Sequence, residues 1–170
     1  MKKAKIVSFC GIMSALSIVF LLLGSLLDIF DVTMVVIASV LLMVVYEEMR
    51  YKAFYVYMVT LVLAGLICPN KLIAIEYGLF GIYPILRPLT NKLGKIISLA
   101  LRVLYALIAS AGISLLIHYV FMPLEPLWFV ICYYVANVLI FLLFDVCLKR
   151  FSTYYYLKLR NQLRIDKFLR

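Results

Sequence analysis

The sequence predicts an all-α polytopic membrane protein, a bundle of six transmembrane helices followed by a basic, amphipathic C-terminal tail. Three observations predict it. Hydrophobic residues make up 67% of the 170 and mean hydropathy is +1.12, whereas soluble domains are about half apolar. Long runs lack charge: Ile6 to Leu27 holds no ionisable group but Cys10, and Val103 to Pro123 holds one histidine and tyrosines. A run of about 20 such residues crosses the hydrocarbon core of a bilayer as a helix. Most of the 17 lysines and arginines stand in short clusters between these runs, the pattern that sets membrane orientation.

The first span is read at Ile6–Leu27. It is too long for a signal-peptide core and has no A-x-A site after it, so it is expected to be retained. The second is Val32–Tyr46, the third Ala53–Cys68 and the fourth Leu72–Leu86. These three hold only about 15 or 16 apolar residues each, about 22–24 Å of helix, so they must borrow flanking residues, sit where the bilayer thins, or pack inside the bundle. Spans two and three also fit a single re-entrant hairpin. Pro84 is expected to bend or break the end of span four. The fifth span is Ile96–Met122 and the sixth Leu127–Leu148. The membrane domain is thus 1–148, and 149–170 is the tail, where Phe151, Tyr154, Tyr155, Leu159, Leu163 and Phe168 alternate with lysine and arginine, as in a helix lying on anionic lipid.

Lys2, Lys3 and Lys5 precede span one, Arg50 and Lys52 join two to three, Arg87, Lys92 and Lys95 join four to five, and Lys149 and Arg150 open the tail. The positive-inside rule places these clusters and both termini in the cytoplasm. The opposite connections carry Asp28 and Asp31, then Lys71, then Glu125. The net charge of +9 is therefore read as orientation rather than as a nucleic-acid surface.

Enzyme chemistry finds little to use. There is no GxxxxGK[ST] and no HExxH, and His118 is the only histidine, so a P-loop, a histidine-rich metal site and a Ser-His-Asp triad are all hard to build. Cys10, Cys68, Cys132 and Cys147 form no CxxC pair and read as small buried hydrophobes. Glu47-Glu48 is similar to the double glutamate of membrane CAAX-type proteases. Lys52 stands where those have arginine and a further histidine is wanting, so the pair is expected to balance Arg50 and Lys52. Asp145 is expected to pair with Lys149 one turn later.

Ionisable groups inside a span are functional-site candidates by default. Glu76 leads, about one turn inside the outer end of span four, with Lys71 five residues before it and Tyr77, Phe80 and Tyr83 after it. Either Glu76 pairs with Lys71 or snorkels to water, or it anchors a ligand in an outward-facing pocket. His118 near the outer end of span five, with Trp128 and Tyr133 around the start of span six and Asn137 deeper, converges on the same membrane face; aromatics there are also the usual interfacial belt. Asn137, in mid-span, must bond another helix or a ligand. A few polar groups in an aromatic setting are the usual form of a small-molecule site. Small residues allow close helix contact in lipid. Span five carries Ala106, Ala109, Ser110, Ala111, Gly112 and Ser114; span one carries Gly11, Ser14, Ala15 and Ser17, which serve internal packing or docking of another membrane protein.

The chain resembles the substrate-binding membrane component (S component) of bacterial energy-coupling factor (ECF) transporters. The resemblance rests on size, six spans, inside termini, Gly11-x-x-x-Ala15 in place of an AxxxA-type motif, and the stretch Pro69-Asn70-Lys71 … Tyr77-Gly78-Leu79-Phe80-Gly81-Ile82-Tyr83-Pro84-Ile85. It implies a multi-pass protein of the bacterial plasma membrane that is not itself an enzyme and needs no cofactor. Such a component captures a vitamin-like molecule near the outer face, here through Lys71, Glu76, Tyr77, Phe80, His118, Trp128, Tyr133 and Asn137. It then docks through Gly11, Ser14 and Ala15 on a separate coupling subunit driven by ATPase subunits. The N-terminal metal-binding histidine of the metal-type members is missing. The alternative is a non-catalytic membrane scaffold similar to bacterial rod-shape-determining proteins.

Overall fold

The computed structural model describes residues 3–27, 31–91, 94–121 and 126–160. Asp28, Lys92, Glu125 and the last ten residues, with Leu163 and Phe168, lie outside them. The described residues form six α-helices and no strand: α1 Lys3–Leu26, α2 Asp31–Met49, α3 Lys52–Ile67, α4 Lys71–Thr90, α5 Lys95–Leu116 and α6 Leu127–Tyr154. One π-helical turn, Ile117–Phe121, extends α5, and another, Tyr155–Leu159, extends α6. All but α3 are long and apolar enough to cross a membrane, so the protein is an all-α polytopic membrane protein. With 16 residues, α3 reaches about 24 Å.

Helix ends in α2, α4 and α6 differ from the sequence reading. α2 begins one residue earlier and ends three later than its apolar core, because Asp31 suits the positive N-terminal end of a helix and Glu47 and Glu48 remain helical. α4 runs through Pro84 and Pro88 to Thr90, so Pro84 does not break it. α6 passes Leu148 without interruption and carries the start of the expected tail as continuous helix.

The chain divides into two compact units. The first joins the described residues up to Leu86 with those from Leu148 on; the second comprises those between Arg87 and Cys147.

In the first unit α1 packs on α2 and α3, and α2 on α3. Leu21, Val35, Ala38, Val45, Ala53, Ala64, Ile73 and Tyr77 are fully shielded. On the other faces Val7, Ile12, Val19, Tyr55, Val62 and Leu66 are exposed, which in a membrane protein is contact with lipid, not a packing defect. α1 and α2 close tightly at Gly24, where an added Cβ would lie 2.9 Å from Met34 Cβ. α2 turns into α3 at Arg50, whose φ of 44° is the left-handed conformation that closes a helix, with its N–H bonded to Tyr46 O at 2.8 Å. This unit has a near end, where α1 starts, α2 stops and α3 starts, and a far end, where α1 stops, α2 and α4 start and α3 stops.

In the second unit Ala106, Ala109, Ser110, Ile113 and Ser114 form the buried face of α5, and Phe141 and Phe144 the aromatic core of α6. Tyr105 of α5 meets Phe141 at 5.4 Å between ring centroids.

Candidate functional site

At the far end of the first unit the loop between α3 and α4 is built as a double cap. The Asn70 N–H donates to Ser25 Oγ of α1 at 2.9 Å, and Asn70 Oδ1 accepts the N–H of Leu72 at 3.0 Å, satisfying one of the free donors at the start of α4. Lys71 Nζ donates to the carbonyls of Gly65 at 2.8 Å and Cys68 at 2.9 Å. A cation on the last carbonyls of α3 is favoured by the helix dipole. Lys71 therefore serves α3, and the expected pairing with Glu76 is not made.

Glu76 sits at the second turn of α4 and is only 5% exposed, and its Oε2 is buried without a hydrogen-bond partner among the described residues. The charge that bears on it is that of Asp31, the first residue of α2. A buried charge left unpaired costs several kcal/mol, and a like charge adds to that cost. Phe80 and Tyr83 stand at i+4 and i+7, on the same helix face, and are 1% and 2% exposed. Tyr77 is turned toward α3: its ring stands 5.9 Å from that of Tyr57, and Tyr57 OH donates to Gly78 O at 2.7 Å. The Tyr77 hydroxyl faces Thr60 without reaching hydrogen-bond geometry.

The other four candidates lie in the second unit. His118 sits in the π-helical turn after α5, its Nδ1 buried without a hydrogen bond among the described residues and its ring edge-on to Tyr119 at 5.1 Å. Trp128 is 65% exposed, as in an interfacial belt. Asn137 is buried, but its Nδ2 donates to Tyr133 O of the same helix at 3.0 Å; neither another helix nor a ligand is needed for that bond. The structure thus brings together Lys71, Glu76, Tyr77 and Phe80 on α4, and places His118, Trp128, Tyr133 and Asn137 in a unit of their own.

The docking candidates divide by role. An open, almost wholly apolar groove of about 560 Å³ runs between α1 and α3 toward the near end, lined by Cys10, Gly11, Ser14, Lys52, Tyr55 and Val59 among others. A Cβ added at Gly11 would meet nothing within 4 Å, and Ala15 is exposed. Ser14 is buried and shares a hydrogen bond with Thr60 of α3 at 3.0 Å. Gly24 lets α1 close on α2, whereas Gly11 stays open.

Two polar clusters differ from the sequence reading. Glu47 and Glu48 do not balance Arg50 and Lys52; they bind the end of the α6 helix. Ser152 Oγ donates to Glu47 Oε1 at 3.0 Å, Tyr156 OH to Glu47 Oε2 at 2.5 Å and Tyr155 OH to Glu48 Oε1 at 2.9 Å, and Arg160 Nε lies 3.2 Å from Glu48 Oε1. Asp145 does not rely on Lys149. Arg87 Nε contacts its Oδ1 at 2.7 Å and Arg102 Nη1 its Oδ2 at 3.1 Å, while Arg102 Nη2 bonds Asn91 Oδ1 and Ser98 Oγ. This cluster ties the last turn of α4 to α5 and to the body of α6. Arg102, a cation inside the fifth span, was the available signal: an intramembrane charge calls for a partner on another span.

No family model, curated protein or solved structure matches the chain.

Proposed function

We propose that the chain is the substrate-capturing membrane subunit of an ECF-type importer of a vitamin-like molecule in the bacterial plasma membrane, with both termini cytoplasmic. The observation that carries this reading is the groove between α1 and α3. Its small residue Gly11 has no neighbour that requires it to be small, yet the use of small residues in lipid is to let helices approach. A vacant small-residue face on a membrane helix fits the helix of another membrane subunit, here the coupling subunit that the ATPases drive. A scaffold would also use such a groove. Glu76 favours capture over scaffolding, because a carboxylate buried without a partner is a cost to a purely structural protein.

The test is a tagged pull-down of the detergent-solubilised protein from cells that also express the coupling subunit and ATPases. Wild type should retain the coupling subunit, and G11L and A15L should lose it while unfolding at the wild-type midpoint. Unfolding of G11L at a lower midpoint would return Gly11 to internal packing and remove the main support. A wild type that retains no coupling subunit and carries no small molecule would favour the scaffold.

A further inference from the structure

We propose that Glu76, with Asp31, seats an organic cation: a ligand with a protonated nitrogen on an apolar or aromatic body. This deepens the capture reading and rests on it. Glu76 is 5% exposed and its Oε2 has no hydrogen-bond partner among the described residues. The neighbouring charge is a second carboxylate, Asp31, so the local potential is negative and disfavours an anion. Lys71, the basic residue that the described part of this unit places at the far end, has its ammonium bonded to the Gly65 and Cys68 carbonyls. The fold has thus committed its local cation to a helix end and left the buried acid for another positive charge.

The donor set separates an organic cation from a metal ion. Calcium and magnesium take six or more oxygen ligands, and no group of three or more His, Cys, Asp or Glu side chains gathers among the described residues. The residues beyond Glu76 on its face of α4 are aromatic: Phe80 one turn on and Tyr83 two turns on, both almost fully shielded. A carboxylate beside aromatic rings recognises an ammonium on a hydrophobic body, through a charge-assisted hydrogen bond and the attraction of a cation for ring faces.

The probe is benzylammonium, with benzyl alcohol and benzoate as uncharged and anionic analogues of the same size. Each is titrated against the full-length protein in nanodiscs, with binding read from the unfolding midpoint. Benzylammonium should raise the midpoint of wild type and the two analogues should not. E76Q, which keeps the shape and removes the charge, should bind benzylammonium at least tenfold more weakly, and D31N should fall between. Equal shifts from benzyl alcohol, or an undiminished benzylammonium shift in E76Q, would overturn the proposal, as would no benzylammonium shift in wild type. Native mass spectrometry of the purified protein separates this inference from the reading beneath it. A co-purified basic molecule that E76Q loses supports the cation site even if no coupling subunit binds. A co-purified neutral or anionic molecule in a protein that does bind the coupling subunit leaves the transporter reading standing and removes the cation site.

Discussion

The two ends of the first unit treat their acids in opposite ways. At the near end Glu47 and Glu48 are met by two tyrosine hydroxyls, a serine hydroxyl and a guanidinium from the end of the α6 helix. At the far end Glu76 is at least as deeply buried, and its Oε2 is met by no described residue. The near-end acids hold the terminal helix against α2, and their removal should loosen the fold. The far-end acid ties no second described element in place. This difference, not burial or charge alone, is what the proposed ligand site at Glu76 rests on.

The largest expected effect sets the scale for an acid whose role is structural. Asp145 bridges Arg87 and Arg102, with side chains 10% to 18% exposed. D145N leaves two shielded guanidiniums sharing a neutral amide, which should cost about 3 kcal/mol of stability, read as a lower unfolding midpoint in denaturing detergent. An unchanged midpoint would mean that the cluster is solvated, and satisfaction by neighbours would then cease to be a guide to role.

The comparison itself is tested by the sign of two isosteric changes. E48Q removes the charge that Tyr155 and Arg160 bind and should lower stability by about 1–2 kcal/mol. E76Q removes an unpaired buried charge and should raise stability by about 1 kcal/mol or more. Equal losses from both variants would place Glu76 among the structural acids and break the contrast.

The range of each force decided which features were legible in the sequence. The spans of α1, α5 and α6 could be read because bilayer thickness acts on uninterrupted apolar length. The ends of α2 were underestimated because an apolar count stops at Asp31 and Glu47, whereas backbone hydrogen bonding continues through charged residues at a membrane boundary. The partners of Glu47 and Glu48 were misread for a related reason. Arg50 and Lys52 are close in sequence, but the left-handed turn at Arg50 ends the helix, so i, i+4 pairing does not extend across it. The hydroxyls that bind them lie 105 to 109 positions away, and only the packing of α6 brings them in. Lys149 lost Asp145 to arginines whose planar forks bind a carboxylate better than a lysine does. Glu76 could be picked out from sequence because its span has no other acid; that Lys71 would turn away to cap α3 could not.

The smallest expected effect sharpens the contrast in the middle of the unit, where Ser14 and Thr60 satisfy one another between α1 and α3 at 3.0 Å. Hydrogen bonds between membrane helices average about 0.6 kcal/mol in double-mutant cycles, so S14A and T60A should each cost about that much, and the double variant little more than either. This pair stands beside the groove, since Ser14 is one of its lining residues. Because each hydroxyl has the other, the pair has no need of a ligand or a partner helix, and S14A should leave retention of the coupling subunit intact where G11L abolishes it. If S14A instead loses the coupling subunit at a near-native unfolding midpoint, the hydroxyl is shared with the incoming helix, and satisfaction within the chain is not enough to assign a polar residue to the fold.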